Sequence, residues 1–164
     1  MKLNIGAGAH PLEGFTNLDL PDFDMTLIPW RYENNSVESI NLSHVIEHVD
    51  KEAGFAVLEE CYRVLEPGGV LRIATPDLDK FIKAHATGDF SELGGYKWTS
   101  LDSLAGGGDK EDRPEYRHRY LYNEASLFYT LLMLYYFTIK VVGFAEQYDN
   151  PEYRAISLYV EAVK

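Results

Sequence analysis

The segment from Lys2 to Leu20 limits what this chain can fold into more than any other. A short apolar run, Leu3 to Ile5, ends in Gly6-Ala7-Gly8, and a second run, Phe15 to Leu20, carries Asp19 near its end. Short apolar runs suit parallel strands buried on both faces. Glycines after one strand let the backbone approach a ligand, and an acid at the end of the next accepts hydrogen bonds from ribose hydroxyls. The segment therefore predicts a parallel α/β sheet holding a nucleoside-type ligand. Pro11 stands where a dinucleotide fingerprint has its third glycine. Gly6 to Glu13 also leaves room for about two helical turns at most, whereas parallel crossovers normally take a dozen residues or more. The first crossover helix is thus expected to be shortened, and the ligand to carry a ribose without a pyrophosphate.

The rest of the chain continues in the same style. Asp24 to Ile28 reads as a short edge strand between the turn signals Pro21 and Pro29, and Val37 to Leu42 as another strand. From Asp50 to Leu65, Phe55, Leu58, Cys61, Tyr62 and Leu65 recur at helical spacing, with Asp50 as the N-cap. Glu66-Pro67-Gly68-Gly69 predicts a tight turn, and Val70 to Thr75 a strand. A short helix after Asp77 and a helix capped by Asn123 follow, then strands at Phe137 to Val142 and Ile156 to Val163. Residues 87–117, rich in glycine and charge, read as a mobile insertion or flap over the active site, because long irregular stretches inside a compact domain are usually functional. The whole of 1–164 reads as one domain.

Composition narrows the function. A net charge of −11 argues against a phosphate backbone as partner, since that needs clustered Lys and Arg. Cys61 is the single cysteine, so no intrachain disulfide forms and a reducing, cytoplasmic setting is expected. A first strand from about Lys2 is expected, and with it no signal peptide. Ala125 to Ile139, the longest uncharged run, falls short of the roughly 20 residues of a spanning helix.

Four stretches together resemble one family: Leu3-Asn4-Ile5-Gly6-Ala7-Gly8, Asn17-Leu18-Asp19-Leu20, Ser43-His44-Val45-Ile46-Glu47-His48-Val49, and Glu60-Cys61-Tyr62-Arg63-Val64-Leu65-Glu66-Pro67-Gly68-Gly69-Val70-Leu71. They are similar to class I S-adenosylmethionine-dependent methyltransferases, and most of all to small ones with a shortened first crossover. The resemblance implies a Rossmann-like seven-stranded sheet, order 3-2-1-4-5-7-6, with strand 7 antiparallel. It also implies S-adenosyl-L-methionine as cofactor. Gly6, Ala7 and Gly8 would face its methionine part, Asp19 its ribose hydroxyls, and Leu20 its adenine. Asp24, or in its place Trp30, would hold the adenine, while Leu42 and Ser43 would line the other side. The acceptor would be a small molecule or saccharide; the resemblance does not define the oligomeric state.

Two histidines are candidates for acid–base chemistry. His118, where the flap returns to the core, suits a general base because an imidazole's ordinary pKa lies near neutrality; His44 lies nearer the active site at the end of a strand. His44-x-x-Glu47-His48 also fits a metal-binding pattern of two imidazoles and a carboxylate. Its position between a strand and the helix start at Asp50 spoils the helical register that pattern requires, so no metal is expected. Two rival readings remain: a non-catalytic nucleoside-binding or interaction protein on a trimmed fold, and a metal-dependent hydrolase using His44, Glu47 and His48.

Overall fold

The computed structural model describes residues 1–94 and 117–164. Among them, six strands form one mixed sheet: β1 (Lys2–Ile5), β2 (Thr16–Leu18), β3 (Val37–Ser43), β4 (Leu65–Pro76), β5 (Thr138–Val141) and β6 (Ser157–Val163). Their order is β2-β1-β3-β4-β6-β5, with the first four parallel and β6 antiparallel to both β4 and β5. The α/β architecture agrees with expectation, but the sheet has six strands and not seven. The strand expected at Asp24 to Ile28 is a turn instead, because Asp24 Oδ1 accepts from both Thr26 N (2.9 Å) and Thr26 Oγ1 (2.7 Å). Such an Asx turn folds the backbone away from any ladder. The remaining strands follow the expected order with its first member removed.

The first crossover is shorter than expected, since residues 6–15 contain turns and no helix. Helices α1 (Lys51–Val64), α2 (Leu78–Thr87) and α3 (Glu124–Met133) start on side-chain caps. Asp50 accepts from Ala53 N, Asp77 from Asp79 N, and Asn123 forms a reciprocal capping box with Ser126. The Glu66–Gly69 segment is not a free turn. It is an irregularity within β4, where pairing with β3 jumps from Val37–Leu65 to Ser39–Val70, and Gly68 N–H donates to Lys164 O. The expected flap at 87–117 starts with Gly88 in the left-handed conformation and a 3-10 turn at Ser91–Leu93; its remainder, 95–116, lies outside the described residues.

The two faces of the sheet differ sharply. Leu3, Ile5, Ile40, Leu42, Leu71, Ile73 and Val160 pack with Val57, Leu58 and Cys61 of α1 and with Leu127 and Leu131 of α3 in one buried cluster. On the opposite face a polar row crosses every strand. Asn17, Asn4, Asn41, Arg72, Glu161 and Lys140 are successive register partners, and partners across a ladder share a face. Asn41 Nδ2 donates to Asn4 Oδ1 (2.9 Å) and Asn4 Nδ2 to Asn17 Oδ1 (2.8 Å). Residues 143–149 cover the middle of this row, with Arg72 bonded to Gly143 O and to the Asp149 carboxylate. This arrangement leaves the carboxyl ends of β1 to β4 facing a common side, where ligands bind in open α/β sheets.

Candidate active site

The glycine turn and Asp19 meet at the ends of β1 and β2. Gly8 N–H donates to Asp19 Oδ2 at 2.8 Å and Leu20 N–H to Oδ1 at 2.9 Å. A carboxylate oxygen accepts two hydrogen bonds, so both oxygens retain capacity for a ribose hydroxyl, and the side chain is exposed. Gly6 N–H and Ala7 N–H both donate to Leu18 O, at 2.8 and 3.1 Å. All three amides of the turn are therefore spent on Leu18 O and the Asp19 carboxylate. A phosphate site needs such amides pointing at the ligand, which fits the expectation of a cofactor without a pyrophosphate.

The other expected cofactor contacts divide. Leu20 is 58% exposed beside Asp19 and offers apolar surface to a base. Ser43 is half-buried at the end of β3. Leu42 instead belongs wholly to the core, because it faces the helices. Trp30 is also a core residue: its indole N–H donates to Met25 O and its backbone N–H to Glu60 Oε1. Asp24 spends Oδ1 on its own turn.

A second group gathers at the ends of β3 and β4. His44 follows β3 in the left-handed region, φ 52°, which turns the chain sharply into the short 3-10 turn Ile46–His48. Its Nε2 lies 2.7 Å from Ser157 Oγ and its Nδ1 3.3 Å from Glu47 Oε1, while its ring stacks 4.3 Å from Tyr153. Ser157 Oγ in turn donates to Tyr153 O. Both nitrogens of His44 thus face protein groups, which suits a positioning residue better than the base expected of it. Glu47 is fully buried. Burial alone would raise its pKa, but contact with His44 and the charges of His44, His48 and His118 hold it below the usual glutamate range.

His118 reaches this group through the backbone. Arg119 N–H and Tyr120 N–H both donate to Glu47 O, at 2.7 and 3.3 Å, and Leu78 N–H donates to Tyr122 O. The returning chain is thereby tied across the ends of β3 and β4, and the rings of His48 and His118 lie 5.1 Å apart. Sequence reasoning named His44, Glu47, His48 and His118 but had no means of uniting the last with the others. It missed Tyr153, Ser157 and Thr75, whose hydroxyl donates to Glu47 Oε2 at 3.2 Å.

A family model described as a methyltransferase domain matches residues 9–73. Among solved structures, a SAM-dependent methyltransferase from Thermotoga maritima is 16% identical at a TM-score of 0.56, covering 92% of this chain. One from Archaeoglobus fulgidus is 17% identical at 0.55, covering 93%. The CurJ carbon methyltransferase is 15% identical at 0.58, covering 99%. The chain has the class I S-adenosylmethionine-dependent methyltransferase fold. It spans 65%, 69% and 47% of those three chains, respectively. No curated protein matches it. Asp19 and the glycine turn stand at the ends of β2 and β1, and S-adenosylmethionine is the cofactor that the family match and these neighbours support. Among the described residues, no helix is long and apolar enough to cross a membrane.

Proposed function

We propose that this chain transfers a methyl group from S-adenosylmethionine to a small-molecule or saccharide acceptor in the cytoplasm. The observation that carries the reading is the Gly8–Asp19 contact, a ribose-competent carboxylate held beside a turn whose amides are already spent. The cofactor supplies a methyl group already activated on a sulfonium, so the protein's main task is alignment. Near-attack positioning is worth ~7–11 kcal/mol in favourable cases. Asp19 accepts from the ribose hydroxyls, Leu20 covers one side of the adenine, and the Gly6–Gly8 backbone faces the methionine portion. Of the two histidines considered as bases, His118 serves the acceptor and His44 orients Glu47.

Calorimetric titration with S-adenosylmethionine and with its demethylated product tests this reading. Both forms should bind, and Asp19→Ala should weaken both. Absence of binding, or equal binding by Asp19→Ala, would overturn it. Binding with no methyl transfer across a broad panel of acceptors would instead support the non-catalytic alternative.

A further inference from the structure

We propose that Glu47, His48 and His118 form a binding site for a divalent transition-metal ion, with zinc the best match to their donors. One ligand atom from each residue comes together within 4.8 Å of the other two. Around a tetrahedral ion with bonds of about 2.0–2.1 Å, ligand atoms lie roughly 3.4 Å apart, so modest side-chain rotations close the set. Two imidazoles and one carboxylate are the donor set of open, three-ligand zinc sites. Imidazole disfavours magnesium and calcium, which take oxygen ligands.

The state of Glu47 is the second, independent observation. Its side chain has no exposed surface, and its Oε1 accepts no hydrogen bond. That oxygen lies 3.3 Å from His44 Nδ1, an ion-pair distance without hydrogen-bond geometry. A fully buried carboxylate is expensive unless its oxygens are satisfied by charge and hydrogen bonds. Thr75 Oγ1 serves Oε2, and an ion shared with His48 and His118 would complete the partners of the carboxylate.

The surroundings are arranged as metal ligands usually are. His48 Nδ1 lies 3.3 Å from Arg117 O. A proton on Nδ1, donated to that carbonyl, puts the lone pair on Nε2, the tautomer that a metal requires. His44 and Thr75 brace the carboxylate from behind. His118, remote in sequence, is fixed by the amides of Arg119 and Tyr120 on Glu47 O. This set differs from the hydrolase pattern His44-Glu47-His48: His44 turns away toward Ser157, and His118 replaces it.

The metal site stands apart from the methyl-transfer reading; only its use in catalysis rests on that reading. A three-ligand ion keeps a position for an incoming oxygen and lowers the pKa of what it binds. With the ion bound, His118 acts as its ligand and not as the general base, and an acceptor hydroxyl on the ion would give its proton to solvent. Its oxygen would then form the new C–O bond as the methyl C–S bond breaks, leaving the neutral thioether.

The test is chelator-treated full-length protein titrated with zinc(II), and separately with cobalt(II) followed by its visible absorption. One ion per chain should bind, and magnesium should neither bind nor compete. His48→Ala and His118→Ala should each weaken zinc binding by about tenfold or more, and His44→Ala, a supporting neighbour, by about 10–100-fold. Circular dichroism should show all three variants folded. Glu47→Gln is not needed: the half-buried histidines report on the same ion even where loss of the buried carboxylate disrupts folding. No zinc binding by the wild type, or unchanged binding in His118→Ala, overturns the proposal. Zinc binding without any binding of S-adenosylmethionine upholds the metal site and removes the methyl-transfer reading.

Discussion

Gly6 leaves no room for a side chain beside Val45: a Cβ built on it would lie 2.5 Å from Val45 Cγ2 and 2.7 Å from Val45 Cβ. The glycine turn and the His44–His48 loop are therefore in direct contact, and the two halves of the candidate site share a wall. Gly6 also has φ +72°, a conformation that costs an L-residue about 1–2 kcal/mol. Overpacking adds typically about 1–3 kcal/mol. Gly6→Ala should lower unfolding stability in urea by about 2 kcal/mol or more and weaken cofactor binding at the same time. A variant with wild-type stability would show that the loop moves freely away from the turn.

Asp19 is exposed, so its replacement should separate binding from folding. Asp19→Asn keeps the size of the side chain but removes the charge and turns one acceptor into a donor. Hydrogen bonds to a charged group are worth about 1.5–3 kcal/mol, or roughly 10–150-fold in Kd. Titration with S-adenosylmethionine should show a loss in that range, with the urea midpoint nearly unchanged. A Kd within twofold of wild type would mean that the ribose lies elsewhere.

Much of the fold was legible because its signals are local. Asp50, Asp77 and Asn123 announce helix starts through caps that need only the next turn of chain. What failed did so for tertiary or competing local reasons. Asp24 looked like the start of an edge strand, yet its carboxylate captured Thr26 and made a turn. Leu42 and Trp30 were expected to line the cofactor; both are buried, Leu42 because its strand turns that face to the helices and Trp30 because its N–H groups bond Met25 O and Glu60 Oε1. The union of His118 with Glu47 runs through backbone amides that no residue type encodes. Asn4 and Asn41 did carry a signal: asparagine inside a doubly buried strand marks a polar layer, here the row that leads to Arg72.

The pairing of Glu60 with Arg63 predicts a pH dependence. Glu60 Oε1 accepts from Trp30 N and Arg63 Nη2, and Oε2 from Arg63 Nε. The Arg63 hydrogen bonds outweigh burial and hold the Glu60 pKa below its ordinary value of 4.5. A depressed carboxylate pKa contributes stability that is fully present above the unfolded-state value and is lost as pH falls through the folded-state value. Glu60→Gln should therefore cost about 1.5–3 kcal/mol at neutral pH, and the gap to wild type should narrow as pH drops below 4.5. Urea unfolding at a series of pH values reads this directly. A gap that stays constant into acid would assign the cost to packing and not to charge.

Arg72 and Asp149 supply the sharpest test of the polar face. The Arg72 guanidinium, 7% exposed, bonds both oxygens of Asp149, which is 1% exposed, and also Gly143 O and Glu161 Oε1. The rings of Tyr148 and Tyr159 flank it, each 5.6 Å away. Asp149 Oδ2 also accepts from Ala145 N, so one carboxylate both neutralises Arg72 and pins the covering loop. Removing one partner of a buried pair costs about 3–5 kcal/mol, whereas replacing both by apolar residues is often close to neutral. Asp149→Ala should fall in that range, and the double variant Arg72→Leu/Asp149→Leu should be the more stable of the two. The loop also reaches the segment just after the glycine turn, because Asn150 Nδ2 lies 2.9 Å from His10 Nε2. Asp149→Ala should therefore weaken S-adenosylmethionine binding at temperatures where the protein is still folded. Equal stability of the single and double variants would show that Glu161 alone satisfies the arginine, and that the loop is held by its own contacts.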